Sequence, residues 1–261
     1  MVSWRGGLFG ERAVCVLAPN ASAMTLDGTN TWVLREPDAG RSIVVDPGPL
    51  QEQHLDRVAK IAGPVAVVLL THGHADHSEG ARAFADRAGC GVRALDPTFV
   101  YGGEGLHDGD VVEVDGLEVR VVATPGHTSD SLSFVLPAER SVLTGDTVLG
   151  RGTSVVAHPD GSLGAYLASL RRLRDLAEQH ELDMIWPGHG PVLDEALPVL
   201  DFYLRHRAER LDQVREAVAA GAVGPMDVVR EVYADVDQRL WPAAELSVRA
   251  QLEHLDIRTD N

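Results

Sequence analysis

The segment Thr71-His72-Gly73-His74-Ala75-Asp76-His77 places four potential ligand side chains within six residues, directly after the apolar run Val65–Leu70. A loop leaving the end of a buried strand can turn all four towards one point, and Gly73 and Ala75 leave room for that turn. Imidazole nitrogen and carboxylate oxygen suit zinc, and also manganese or iron. A lone histidine would ordinarily be read as a surface or satisfied core residue. Four such residues in this spacing after an apolar strand point to a metal.

Three later segments also put a polar residue beside glycine just past an apolar run. They are Thr124-Pro125-Gly126-His127, Leu143-Thr144-Gly145-Asp146 and Trp186-Pro187-Gly188-His189-Gly190. Upstream, Val44-Val45-Asp46-Pro47-Gly48 has the same form. Each offers one ligand-type side chain at a strand end, with a glycine that permits close approach.

The remaining patterning predicts a layered α/β protein with mixed sheets. Ala13–Leu17, Thr31–Leu34, Ser42–Val45 and Val65–Leu70 read as strands. Val111–Val114 and Leu117–Val122 flank Asp115-Gly116, a strong hairpin signal, and Ser131–Leu136 with Ser141–Leu143 reads as another. Ser78–Ala88 reads as a helix, as does the segment capped by Ser162, whose leucines and Tyr166 recur on one face. Met184–Trp186 is strand-like. After Pro198 the pattern is helical only: Val199–Ala220, Met226–Tyr233 and Ala243–Leu255. The expected division is a hydrolase domain over 1–204 and a small, winged-helix-like domain over 205–261, with Trp241 and Pro242 anchoring the second against the first.

Charge and cysteine content narrow the function classes. The 261 residues carry 39 acidic and 23 basic side chains, a formal charge of −16, and only one of the basic residues, Lys60, is lysine. Such a chain repels phosphate backbones at long range. Residues 205–261 hold 8 basic and 11 acidic side chains, so they lack the basic face of a DNA-binding helix-turn-helix. No apolar run is long enough for a membrane span. Cys15 and Cys90 form no metal clip or disulfide framework, and the N-terminal stretch has no apolar core of an export signal. The expectation is a cytoplasmic protein that binds neither DNA nor membrane.

With its five motifs in order, Asp46, the His72–His77 box, His127, Asp146 and His189, the sequence resembles the metallo-β-lactamase superfamily. The resemblance covers at least residues 25–195 and implies an αββα sandwich with metals at one sheet edge. Carried onto this sequence, it gives His72, His74 and His127 to one ion and Asp76, His77 and His189 to a second, with Asp146 bridging. Asp46 would orient a ligand histidine by hydrogen bonding. The cofactors implied are two divalent ions, zinc first, manganese or iron as alternatives. They would hold a bridging hydroxide for attack on a carbonyl or phosphorus, with Asp76 orienting it. Asp146, where β-lactamases of the commonest class have cysteine, resembles glyoxalase II. Thr25–Thr31, Pro187–Val192 and Tyr203–Arg207 resemble the β-lactamase-like protein 2 group, whose members add a C-terminal winged-helix-like domain.

Two activities follow from that resemblance. The first is hydrolysis of a small-molecule thioester or ester, of the hydroxyacylglutathione hydrolase kind. The second is single-strand endoribonuclease activity, with RNA as partner and Arg151, His206, Arg207 and Arg210 facing phosphates. A true β-lactamase and a non-catalytic metal-binding scaffold are the weaker readings. Arg151, His158, His206 and Arg207 are the candidate substrate contacts, although the arginines would ordinarily be read as pairing with Glu209 or Asp212 on a helix surface. His54, His107, His180 and His254 are expected at the surface. Ser78 and Ser129 read as cap or turn residues, not nucleophiles.

Overall fold

The structure, a computed structural model, describes residues 4–258. Two six-stranded sheets pack face to face. The first holds β1 (Gly6–Phe9), β2 (Ala13–Leu17), β3 (Asn30–Leu34), β4 (Ser42–Val45), β5 (Val65–Leu69) and β6 (Gly91–Arg93), in that order across the sheet. The second holds β7 (Val111–Val114), β8 (Leu117–Ala123), β9 (Leu132–Leu136), β10 (Ser141–Gly145), β11 (Met184–Pro187) and β12 (Leu193–Asp194), ordered β12-β11-β10-β9-β8-β7. The helices are α1 (Glu52–Ala62), α2 (Ala75–Ser78), α3 (Ala81–Ala88), α4 (Leu163–Gln179), α5 (Ala196–Ala219), α6 (Pro225–Val232) and α7 (Trp241–His254).

Connection length decides which neighbours run parallel, since only a crossover lets a strand return in the same direction. The parallel pairs are β4–β5, across α1, β5–β6, across α2 and α3, and β10–β11, across α4. The other neighbours are antiparallel. In the β7–β8 hairpin Asp115 and Gly116 take φ of 49° and 93°, as the Asp-Gly signal predicts.

Strands β4, β9 and β10 are buried along their whole length, which is why none shows a regular alternation of apolar and polar residues. Between the sheets, Trp32, Leu34, Val45 and Leu69 meet Val119, Val121, Phe134, Leu143 and Trp186. The rings of Trp32 and Trp186 stack at 5.0 Å with 11° between planes. Outside the first sheet, Val44 and Val68 pack with Leu55, Val58 and Phe84 from α1 and α3. Outside the second, Val135, Val142 and Ile185 pack with Tyr166 and Leu170 of α4 and Leu200 of α5.

Four sequence expectations need adjusting. The helix expected over 78–88 starts only at Ala81, as α3; Ser78 ends the short α2, and the two are parted at Gly80, where a Cβ would meet the Gly48 carbonyl at 2.9 Å. The strands β1, β6 and β12 and the helix α1 were not foreseen; the strands are too short or polar to show a period. His54 is not at the surface: it is 1% exposed on α1, with Nε2 2.9 Å from Thr31 Oγ1. Finally, α5 runs unbroken past the expected division at 204/205. Its first half packs on α4, and its second half, through Val214 and Ala217, packs with Val228, Val248 and Leu252 of α6 and α7. Among the described residues, no strand follows β12.

Candidate metal centre

In the first sheet β4 and β5 are parallel, so their C-terminal ends share an edge. In the second, β8, β10 and β11 point the same way, and their ends share the facing edge. Asp46 follows β4, the 72–77 box follows β5, His127 follows β8, Asp146 follows β10 and His189 follows β11. The five segments singled out in the sequence thus meet along one rim of the sandwich.

There they form two clusters: His72, His74, His127 and Asp146, and Asp76, His77 and His189. In the first, His74 Nδ1 lies 3.1 Å from both His72 Nε2 and His127 Nε2. In the second, His189 Nε2 lies 3.3 Å from His77 Nε2 and 3.1 Å from Asp76 Oδ2. Asp146 stands between them. Its Oδ2 is 3.7 Å from His127 Nε2 and 3.3 Å from His189 Nε2, while Oδ1 is 3.4 Å from His77 Nε2. Donors about 2.1 Å from one tetrahedral ion are about 3.4 Å apart. These spacings are therefore those of atoms sharing an ion.

Hydrogen bonding on the far side of each ring supports the same reading. His77 Nδ1 donates to Asp46 Oδ2 at 2.8 Å, His127 Nδ1 to the Val155 carbonyl at 2.7 Å, and His189 Nδ1 to the Gly28 carbonyl at 3.1 Å. A carboxylate or carbonyl can only accept, so Nδ1 carries a hydrogen in each ring and Nε2 is the atom left to face an ion. The His72 tautomer follows from one further step. Thr71 Oγ1 donates to Asp46 Oδ2 at 2.6 Å, so its oxygen accepts from His72 Nδ1, 3.0 Å away. Asp46 also accepts from the Thr71 amide at 2.8 Å. It holds these contacts from a left-handed backbone conformation, φ 51°, which a non-glycine residue adopts at a cost.

The donor set fits two divalent ions. Asp146 Oδ1 is buried without a hydrogen-bond partner, an expensive state for a carboxylate unless a cation satisfies it. Burial opposes ionisation of Asp76, but hydrogen bonding to His189 together with the charges of His77 and His189 outweighs it and holds the carboxyl at about 2. Burial likewise lowers His189, yet Asp146 and Asp76 raise it to about 9. Burial lowers His72 well below its ordinary value. Ion binding at this centre must therefore displace protons from some imidazoles and finds others already neutral.

Close approach explains the glycine of Pro187-Gly188-His189. A Cβ at Gly188 would lie 2.5 Å from Asp146 Oδ1 and 2.8 Å from His77 Cε1. Asn30, which sequence reasoning gave no role, stitches this loop: its amide donates to the Pro187 carbonyl at 2.9 Å and the Gly190 carbonyl at 2.8 Å. Thr29 reaches Asp76 Oδ2 at 3.4 Å. Asn30 is wholly buried, which its residue type gave no reason to expect.

The four candidate substrate residues lie elsewhere. Arg151, His206 and Arg207 line a cavity of about 330 Å³ between the 149–155 loop, the 23–26 loop, α5 and the C-terminal helices. Arg151 is paired with Asp27. Neither Glu209 nor Asp212 pairs with the arginines as a helix-surface reading required: Asp212 pairs with Arg215, and Arg210 lies over the Tyr233 ring at 4.4 Å. His158 is not brought to this cavity; it lines a separate shallow groove with Arg249 and Glu253, because the 157–161 loop turns towards α7.

Comparison with known proteins matches residues 24–189 to the family described as Metallo-beta-lactamase superfamily, and residues 224–258 to the Beta-lactamase associated winged helix domain. A Beta-lactamase-like protein 2 homolog from Caenorhabditis elegans is 31% identical, over 92% of this chain and 82% of its own length. An atrochrysone carboxyl ACP thioesterase from Aspergillus fumigatus is 34% identical over 70% of this chain and 57% of its own. Among solved structures, a Beta-lactamase domain protein from Burkholderia ambifaria superposes with a TM-score of 0.80, at 21% identity, covering 96% of this chain and 87% of that one.

Proposed function

Because the chain belongs to the metallo-beta-lactamase superfamily and is a metal-dependent hydrolase, we propose that it uses two metal ions to hydrolyse a small-molecule thioester or ester. The observation that carries this reading is the pair of donor clusters sharing Asp146. His72, His74 and His127 would hold one ion, Asp76, His77 and His189 the other, and Asp146 both. Three nitrogens or two nitrogens and a carboxylate per ion favour zinc, with manganese and iron as alternatives. When bound, the ions would lower the pKa of a coordinated water towards neutrality and stabilise negative charge on the substrate oxygen.

The chain's own residues supply order. Asp46 and the carbonyls of Gly28 and Val155 fix imidazole tautomers from behind. Asp76 stays ionised, so its Oδ atoms can face an ion and orient a nucleophile. The partly apolar cavity of about 330 Å³ beside the centre is on the scale of a small organic ligand. The name of the Aspergillus fumigatus thioesterase adds support for an acyl thioester, and the charge of −16 weighs against RNA. The free thiols Cys15 and Cys90 favour the reducing cytoplasm as the compartment.

The test is a panel of acyl thioesters, esters and single-stranded RNA on metal-loaded protein at several salt concentrations. Thioester or ester turnover that barely responds to salt is expected. RNA cleavage whose affinity falls steeply with salt, about 0.7 in log–log slope per phosphate contact, would overturn the proposal in favour of the endoribonuclease reading.

A further inference from the structure

The cavity beside the metal centre contains an uncompensated positive charge. Arg207, on α5, is 4% exposed, yet among the described residues it has no carboxylate partner. Its guanidinium donates to the Ser154 carbonyl and lies over the Tyr166 ring at 4.9 Å, while Nε makes no hydrogen bond. One turn further along α5, Arg210 lines the same cavity. It donates to the Val232 carbonyl and to Gln213 Oε1, and it too has no carboxylate partner. In a chain with 39 acidic against 23 basic residues, acidic partners are plentiful. Two neighbouring arginines left without one, one of them buried, therefore form a local positive site against the sign of the whole molecule. A buried cation is tolerated when an anion of good geometry joins it, and a planar guanidinium suits carboxylate and phosphate alike.

The rest of the lining is of another character. Leu26, Leu149, Val236 and Leu240 give the cavity an apolar wall. Ser154 and Val155 form the partition between cavity and metal centre. Arg207 binds the Ser154 carbonyl, while the Val155 carbonyl and Ser154 Oγ contact His127 Nδ1, at 2.7 Å and 3.3 Å.

We propose that this cavity binds an amphipathic small-molecule anion, with the carboxylate or phosphate on Arg207 and Arg210 and an apolar chain along Leu26, Leu149, Val236 and Leu240. This rests on the hydrolase reading for its consequence: the substrate is an acyl compound that carries a negative group on a part remote from the bond cleaved. The binding claim itself needs no turnover. The α6–α7 connection, which supplies Val236 and Leu240 and the Tyr233 ring beneath Arg210, then acts as the specificity wall for that group.

The test uses the full chain and direct calorimetric binding of octanoate, octyl phosphate, octanol and inorganic phosphate, before and after chelation of metal. Octanoate or octyl phosphate should bind at least tenfold more tightly than octanol and than inorganic phosphate, with the preference kept in chelated protein. Whichever of the two binds more tightly identifies the headgroup as carboxylate or phosphate. Arg210→Gln, at a half-buried position, and Arg207→Met, which keeps the aliphatic volume, should each reduce the octanoate-to-octanol preference about tenfold. A purely structural Arg207 would lower Tm and leave that ratio unchanged, so Arg210→Gln keeps the test decisive if Arg207→Met does not fold. Octanoate and octyl phosphate both binding no more tightly than octanol, no binding of either anion, or an unchanged anion-to-octanol ratio in Arg210→Gln would overturn the proposal. Loss of the hydrolase reading alone would show as absent turnover with the binding preference intact.

Discussion

Replacing Asp46 by asparagine should weaken metal binding without unfolding the protein. The carboxylate accepts three hydrogen bonds, from the Thr71 amide at 2.8 Å, the Thr71 hydroxyl at 2.6 Å and His77 Nδ1 at 2.8 Å. An asparagine of the same shape has one oxygen. If that oxygen faces His77, the new NH2 confronts the Thr71 amide, donor against donor. If the amide is reversed, the NH2 faces His77 and favours the tautomer with hydrogen on Nε2, which cannot coordinate. Either orientation removes one charge-assisted hydrogen bond, worth about 1.5–3 kcal/mol. At 1.4 kcal/mol per tenfold, metal affinity should fall about 10–100-fold. The loss should be larger at the cluster containing His77, since His72 is reached only through the Thr71 hydroxyl. Chelator-competition titrations of Asp46→Asn and the parent, resolved into two binding steps, read this out, with circular dichroism to verify the fold. Two unchanged affinities would refute the reasoning and leave Asp46 as a turn residue only.

Asp146→Ala should lose both ions and Asp76→Ala chiefly one, because only Asp146 faces both clusters; equal metal content by elemental analysis would count against bridging. Gly188→Ala should reduce metal content and activity at least tenfold with secondary structure intact, since its Cβ would intrude on Asp146 and His77; an unaltered ion stoichiometry would show that the loop yields. Burial, with Arg57 nearby, lowers His54 to about 4 against 6.5. Unfolded protein therefore binds more protons between those values, and stability should fall as pH drops from about 6.5 to about 4, by up to about 1.4 kcal/mol per pH unit, and be complete above that window. Denaturant titrations of chelated parent and His54→Gln across it should differ in slope; parallel curves would contradict the assignment.

The metal centre was legible because its donors are concentrated and punctuated by glycine, and because local spacing survives into three dimensions at a strand-to-helix junction. Asp46 was legible for the same reason. What escaped were roles carried by backbone carbonyls and by side chains whose partners are distant in sequence. Asn30 meets residues 187 and 190, and His127 meets the carbonyl of Val155, neither of which leaves a trace in residue type. His54 was misplaced because α1 is short and its buried face carries only Leu55, Val58 and Ala62 besides the histidine, too few positions to declare a period. Arg207 was singled out, but whether it meets an acidic neighbour on its own helix or a carbonyl 53 residues away depends on packing that one-dimensional spacing does not contain.

The stacked indoles of Trp32 and Trp186 belong to opposite sheets, and each lies close in sequence to a functional loop, Asn30 before one and Gly188-His189 after the other. The donors themselves are divided the same way, the 72–77 box on one sheet and His127, Asp146 and His189 on the other. Ions held between them would act as a rivet through two plates. Sliding of one sheet over the other would then change the distance between donors before it changed either sheet. The interior packing thereby sets the gauge of the reaction centre, and a substitution at the Trp32–Trp186 contact would be felt as altered metal affinity before it was felt as unfolding.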